Sequence, residues 1–116
     1  MTQAQRYFIT IADLSGARGD SSELGFDGGS PEHLARVLEA ALRESDFSAR
    51  WRAMQENPDD VDPATCAVDP GATVSGSLEA QRSELIVTTR LPHAILKHRL
   101  DLLIGRNWKL RDISTP

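Results

Sequence analysis

The sequence predicts an α+β fold in which helices cover one face of an antiparallel sheet. Three observations predict it. A strand-like run lies near the start of the chain, two short strand-like runs are separated by a turn-sized gap, and an apolar helical pattern precedes a last strand. These segments cover residues 6–12, 73–80, 83–90, 93–104 and 107–113. With a first helix after residue 30, the order is that of the ferredoxin-like βαββαβ sandwich, which packs two helices on one face of a four-stranded antiparallel sheet.

The first strand leads into a long glycine-rich connection. Tyr7, Ile9 and Ile11 share one face of the strand, and the other face is also fairly apolar, which favours a central position in the sheet. The connection, 13–29, contains five glycines. A structureless loop of this length is unusual in a compact domain. We therefore expect either a small extra strand at 23–26 or a mobile loop with a function.

The first helix is well marked in the sequence. Ser30 can cap it, and Pro31 suits its first turn. The apolar residues that follow recur at helical spacing and predict one buried stripe. This stripe consists of Leu34, Val37, Leu38, Ala41 and Leu42.

A second, shorter helix is expected near 47–56, as an insertion before the two paired strands. Phe47, Trp51 and Met54 recur there at helical spacing. The segment 57–72 that follows contains prolines and acidic residues and is expected to be an irregular link.

The last helix carries more apolar surface than one buried face requires. Its main face consists of Leu96, Leu100, Leu103 and Ile104. Ile95 and Leu102 form a second stripe, and Arg99 separates it from the first. Exposed apolar patches often mark contact surfaces, so Ile95, Leu102 and Arg99 are the predicted partner-binding residues. The competing prediction is that the helix near 47–56 covers them within the chain.

Charge is unevenly distributed along the chain, whose net charge is −4. Residues 1–81 carry six arginines against fourteen acidic residues, whereas residues 82–116 carry seven basic residues against three acidic ones. A basic surface can bind an acidic or phosphate-rich partner, although the two halves can also neutralise each other in the fold. Nucleic-acid binding through 90–111 is one alternative, but Trp108 is expected to point away from Lys109, which disfavours it.

The sequence contains no complete catalytic or ligand-binding motif. The glycine-rich loop before the first helix could hold an anion at the helix N-terminus, with Arg18, Ser30 and His33 as its candidate ligand residues. It lacks the Gly-Lys-Ser/Thr ending of a nucleotide-binding P-loop. His93 and His98 do not share a helix face, and a lone cysteine provides no thiolate cluster. No metal or other cofactor is therefore predicted.

Size and cysteine content predict a single cytoplasmic domain over 1–116. The one cysteine, Cys66, excludes an internal disulfide and suits a reducing compartment. The start of the chain has no signal-peptide pattern, and no apolar segment reaches about 20 residues, so no membrane association is expected.

The function that these observations favour is a non-catalytic protein-binding module. Such a protein would act as a small accessory, regulator or inhibitor, as immunity proteins do, and would bind another protein or form a homodimer. One alternative is a small enzyme or ligand-binding domain that uses the loop 13–30. The other is a nucleic-acid-binding protein that uses the basic region 90–111, although nucleic acid is the less favoured partner.

Overall fold

The structure, a computed structural model, contains four strands and three helices in the part of the chain that it describes. The described residues are 3–14, 19, 24–26, 29–80 and 82–115. The strands are β1 (Gln5–Ile11), β2 (Thr73–Glu79), β3 (Arg82–Thr89) and β4 (Lys109–Ser114), and the helices are α1 (Pro31–Arg43), α2 (Ser45–Ala53) and α3 (His93–Ile104). The predicted α+β class is confirmed. The extra helix expected near 47–56 is α2, which begins and ends slightly earlier.

The strands form one open sheet in the order β2-β3-β1-β4, and every neighbouring pair is antiparallel. β1 is a central strand, as its two apolar faces predict, since Ile9 lies opposite Leu85 of β3 and Leu110 of β4. A bulge between Phe8 and Ile9 shifts the pairing with β4 and leaves Arg111 with no opposite residue on β1. The edge strands are β2 and β4.

The core lies between the helices and one face of the sheet. Alternate residues of β1 and β3 point into it, as the period of a strand requires. The core includes Tyr7, Ile9, Ile11, Leu34, Leu38, Leu42, Leu85, Val87, Leu96, Leu100, Leu103 and Ile104. The opposite face of the sheet, called the open face below, carries Arg6, Phe8 and Thr10 of β1 and Glu84, Ile86 and Thr88 of β3.

The start of α1 is held by local hydrogen bonding and by a glycine in β2. The Ser30 hydroxyl accepts a hydrogen bond from the backbone N–H of His33 at 3.1 Å, which confirms the predicted cap. A Cβ atom on Gly76 would lie only 2.2 Å from the carbonyl oxygen of Pro31. Glycine in the middle of β2 therefore lets the first turn of α1 pass directly over the strand.

The end of α1 is completed by other parts of the chain. The last carbonyl groups of a helix have no partner within it. Here the Ala41 carbonyl accepts a hydrogen bond from the Arg99 guanidinium at 3.0 Å, and the Leu42 carbonyl accepts one from the backbone N–H of Asp69 at 2.8 Å. The end of α1 is thus the point where α3 and the link 57–72 meet.

Asp69 joins this link to the end of β3. Its buried carboxylate accepts hydrogen bonds from the Thr89 hydroxyl at 2.9 Å and from the backbone N–H groups of Arg90 and Gly71 at 2.8 and 3.1 Å. Burial opposes ionisation, but these bonds and the charge of Arg90 outweigh it, so the pKa of Asp69 lies below its ordinary value. The carboxylate is therefore charged in the folded state.

Replacement of Asp69 by Asn is expected to lower the free energy of unfolding by about 1–3 kcal/mol near neutral pH, because an amide cannot accept all three hydrogen bonds. The pKa of Asp69 is lowered on folding, so its stabilisation is complete above the ordinary carboxyl pKa of about 4 and is lost as the pH falls through the folded-state value. Urea denaturation over this range should show a difference between parent and variant that disappears in acid. Asp60→Asn, at an exposed site, is the control. A difference for Asp69→Asn that does not change with pH would contradict this role.

Within the described ranges, no helix has both the length and the apolar character needed to cross a membrane.

Candidate functional site

The structure describes two of the three residues predicted to bind a ligand in the loop before α1, Ser30 and His33. Arg18 lies outside the described residues. Ser30 and His33 both serve the start of α1, and the exposed His33 ring lies 5.6 Å from the ring of Phe26. The backbone N–H of Phe26 donates to the Leu103 carbonyl at 2.7 Å, and residues 24–26 form no strand. The described part of the loop is therefore packed on the end of α3.

The predicted partner stripe on α3 is largely covered within the chain. Arg99 is 1% exposed and Leu102 is 7% exposed, while Ile95 is half-buried and packs against the core. The backbone at Gly19 lies so close to Leu102 that a side chain there would collide with its carbonyl group. The expectation of an exposed stripe is wrong for Leu102 and Arg99, because the loop before α1 lies against Leu102 and the end of α1 and the link 57–72 enclose Arg99.

Arg99 has a structural role, because its side chain bonds to three backbone carbonyl groups. Its guanidinium donates to the Ala41 carbonyl at 3.0 Å, to the Thr65 carbonyl at 3.0 Å and to the Ala67 carbonyl at 2.7 Å. Burial disfavours the charged form and lowers the pKa of Arg99, with the Cys66 thiol acting weakly in the opposite direction. A side chain engaged in this way joins α3 to α1 and to the link, and it is not available to a partner.

Three buried side-chain atoms, one of them on Arg99, have no hydrogen-bond partner among the described residues. They are the Ser48 hydroxyl, Nδ1 of His98 and Nε of Arg99. Burial and the neighbouring Arg99 charge lower the pKa of His98, whose ring meets Trp51 edge-on at 4.5 Å. The nearby Cys66 thiol donates to the Ser48 carbonyl at 3.8 Å and lines a cavity of about 420 Å³ beneath α2.

A second cavity lies where β1 ends and has a volume of about 390 Å³. We call it the basic pocket. Its lining residues are Thr10, Ala12, Asp13, Arg82, Arg106, Asn107, Trp108 and Lys109. A volume of this size falls within the range of about 300–1,000 Å³ that is usual for small-molecule sites.

The sheet topology explains why these residues meet. β3 and β4 run antiparallel to β1 on its two sides, so both begin where β1 ends. Lys109 lies opposite Thr10, and Arg82 directly precedes Ser83, which lies opposite Ile11. Alternation along the strands then places Arg82, Lys109 and Thr10 on the open face.

The pocket carries excess positive charge. No carboxylate lies within ion-pair distance of Arg82, Arg106 or Lys109 among the described residues, whereas Arg111 pairs with Glu84 at 3.1 Å. Asp13 is the acidic residue of the lining. Three cations around one concave surface produce a positive potential that favours an anionic ligand.

Two further lining residues, Trp108 and Asn107, are held in place by hydrogen bonds to α3. The Trp108 indole N–H donates to the Asp101 carboxylate at 3.1 Å, and its ring packs partly against the core. The side-chain NH₂ of Asn107 donates to the Ile104 carbonyl. β4 begins only at Lys109. Trp108 points towards the core and α3, whereas Lys109 lies opposite Thr10 on the open face, as expected. Both residues nevertheless border the same cavity, which lies at the end of β1.

The open face continues from the pocket towards the middle of the sheet. Phe8 and Ile86 lie opposite each other on the two central strands, and Ile86 is 38% exposed. Thr10 donates to Glu84 at 3.1 Å, and Glu84 also accepts from Arg111. The pocket is thus bordered by the hydrogen-bonded side chains of Thr10, Glu84 and Arg111. The apolar residues Phe8 and Ile86 lie beyond them on the same face.

In the described part of the chain, no three histidine, cysteine, aspartate or glutamate residues are placed to hold a metal ion. Comparison with known proteins finds no matching family, no similar curated protein and no similar solved structure. The geometry of the basic pocket is therefore the strongest indication of function in this chain.

Sequence reasoning identified part of this pocket. Arg106 and Lys109 belong to the basic region 90–111, which is one of the alternatives considered above. The sequence does not predict that Arg82 and Thr10 line the pocket, because their approach to Lys109 depends on strand register. The useful signal was the excess of basic residues after residue 81.

Proposed function

We propose that the protein is a non-catalytic binding module that holds an anionic group of its partner in the basic pocket. The observation that carries this proposal is the convergence of Arg82, Arg106 and Lys109 on one cavity without carboxylate partners among the described residues. Hydrogen bonds from charged donors to anions are about twice as strong as neutral ones. An anion that enters the pocket gains such bonds.

The proposed role as an accessory or regulatory protein agrees with this site. We place the proposed binding surface on the open face and not on α3, because Arg99 and Leu102 are buried. Phe8 and Ile86 provide apolar contact area beside the pocket. A partner that places an anionic group in the pocket can therefore extend over the sheet.

We also infer that the sandwich is ferredoxin-like. The element order is βαββαβ once α2 is treated as an insertion, and each helix crossover joins strands separated by one strand. β3 lies between β1 and β2, and β1 lies between β3 and β4. This arrangement supports the inference, because the split βαβ unit has such crossovers. It supports the proposal because it leaves one sheet face free of helices.

The proposal is tested by titrating the ¹⁵N-labelled protein with sodium tripolyphosphate and following its NMR spectrum. We expect saturable shifts of the Trp108 indole N–H and the Asn107 backbone amide. The double variant Arg106→Gln, Lys109→Gln should weaken binding by at least about tenfold, in line with the loss of two charge-assisted contacts. The matched control is Arg36→Gln with Arg50→Gln, two exposed arginines on α1 and α2. Equal affinity in both double variants, or shifts spread over the whole surface, would overturn the proposal.

A further inference from the structure

We propose that the ligand of the basic pocket is a nucleotide, whose base lies against Trp108 and whose phosphate is bound by Arg82, Arg106 and Lys109. This inference rests on the proposed function, because it names the chemistry of the anion that the pocket holds. It is carried by the combination of side chains in the lining.

The cations fit a phosphate group. Arg82 begins β3, Lys109 begins β4 and Arg106 lies in the turn after α3, so they approach the end of β1 from separate segments. A phosphate offers three terminal oxygens and a charge close to −2, whereas a carboxylate offers two oxygens and one charge. Two guanidinium forks and one ammonium group suit the larger number of acceptors.

The wall of the pocket fits a planar ring. Trp108 is fixed by its hydrogen bond to Asp101 and by its packing on the core, so its ring is preorganised. Ala12 beside it leaves space over the end of β1. Bases stack favourably on aromatic side chains, and a fixed ring loses little conformational entropy on binding.

The polar groups between these two parts fit the donors of a base or ribose. The NH₂ group of Asn107 is already bonded to the Ile104 carbonyl, and its oxygen accepts no hydrogen bond among the described residues. Asp13 adds a carboxylate to the lining. An acidic peptide would bring a second carboxylate towards Asp13, which like charge disfavours, whereas a nucleotide can place its uncharged base or ribose on that side. The nucleotide is therefore the better match.

The nucleotide can be free or part of a single strand. Residues of the open face beside the pocket distinguish the two cases. Thr10 belongs to the pocket, and Phe8 follows on the same face of β1, opposite Ile86. A strand anchored in the pocket can place its next base there. A free mononucleotide needs the pocket only.

The test is calorimetric titration with AMP, adenosine, tripolyphosphate and a six-nucleotide single strand of RNA. We expect AMP to bind at least about tenfold more tightly than adenosine, because the phosphate adds charge-assisted bonds. Trp108→Leu should lower AMP affinity by at least about fivefold, because the base loses its stacking partner, and leave tripolyphosphate binding unchanged. If Trp108→Leu does not fold, Ala12→Leu provides the same test by filling the space beside the ring.

Each outcome decides a different point. AMP affinity that Trp108→Leu leaves unchanged, or adenosine that binds as tightly as AMP, overturns the nucleotide inference and leaves the anion-binding proposal intact if tripolyphosphate binds. Failure of every anion to bind overturns both. A hexanucleotide that binds more tightly than AMP, with the gain lost in Phe8→Ser, assigns the nucleotide to a single strand. Equal affinities assign it to a free nucleotide.

Discussion

Replacement of Arg99 by Met is expected to lower the free energy of unfolding by about 3–5 kcal/mol. Methionine fills much of the same volume, but it leaves the carbonyl groups of Ala41, Thr65 and Ala67 without their donor in a buried site. Each unsatisfied buried carbonyl costs about 1–3 kcal/mol, and the costs are not fully additive. The charge also lies at the C-terminal end of α1, where a cation is favourable.

Urea denaturation of the parent, Arg99→Met and Arg99→Lys checks this expectation. Lysine keeps the charge but cannot reach three carbonyl groups with a planar fork, so its variant should fall between the other two. Lys97→Met is the control on the same helix, since Lys97 is exposed and pairs with Asp101 one turn away. If Arg99→Met and Lys97→Met unfold at the same urea concentration, Arg99 is not the structural group described above.

Replacement of Leu38 by Ala is expected to cost about 2–5 kcal/mol, as for other large-to-small changes in a packed core. Leu38 is fully buried in the middle of α1, between the sheet and the other helices. Alanine is a better helix former than leucine, but that difference is only a few tenths of a kcal/mol. The loss of packing therefore dominates.

The same substitution at an exposed leucine provides the control. Leu78 is 63% exposed on the edge strand β2. Leu78→Ala should change the free energy of unfolding by no more than about 0.5 kcal/mol. Thermal and chemical denaturation of both variants measure the two values side by side. A midpoint that moves equally for Leu38 and Leu78 would show that the inner face of α1 has been misassigned.

The elements of this fold could be predicted because their signals are local. Ser30 and Pro31 mark the start of α1, Gly105 follows the last residue of α3, and the alternation around Leu85 marks β3. The central position of β1 also followed from its own residues, because both of its faces are apolar. Strand order and register depend on long-range pairing, which no single segment encodes.

The site could be predicted only in part for the same reason. Arg99 lies between apolar residues of a helix, and its charge suggested solvent exposure. Its burial depends on carbonyl groups supplied by Ala41 and by the link 57–72, and their positions are set by tertiary structure. Likewise, Arg82 and Lys109 are far apart in the chain and meet only through their places beside β1.

The central position of β1 has a consequence for how the chain folds. Its partner strands β3 and β4 both lie in the last third of the sequence, so the middle of the sheet consists of non-local pairs. Closing such long loops costs entropy before any pairing energy is gained, and domains of this kind fold more slowly than those with local contacts. During synthesis, β1 leaves the ribosome long before either neighbour exists. Its apolar residues remain without partner strands until the end of the chain has been synthesised. We therefore expect this strand to be the segment most exposed to aggregation in a nascent or partly unfolded molecule.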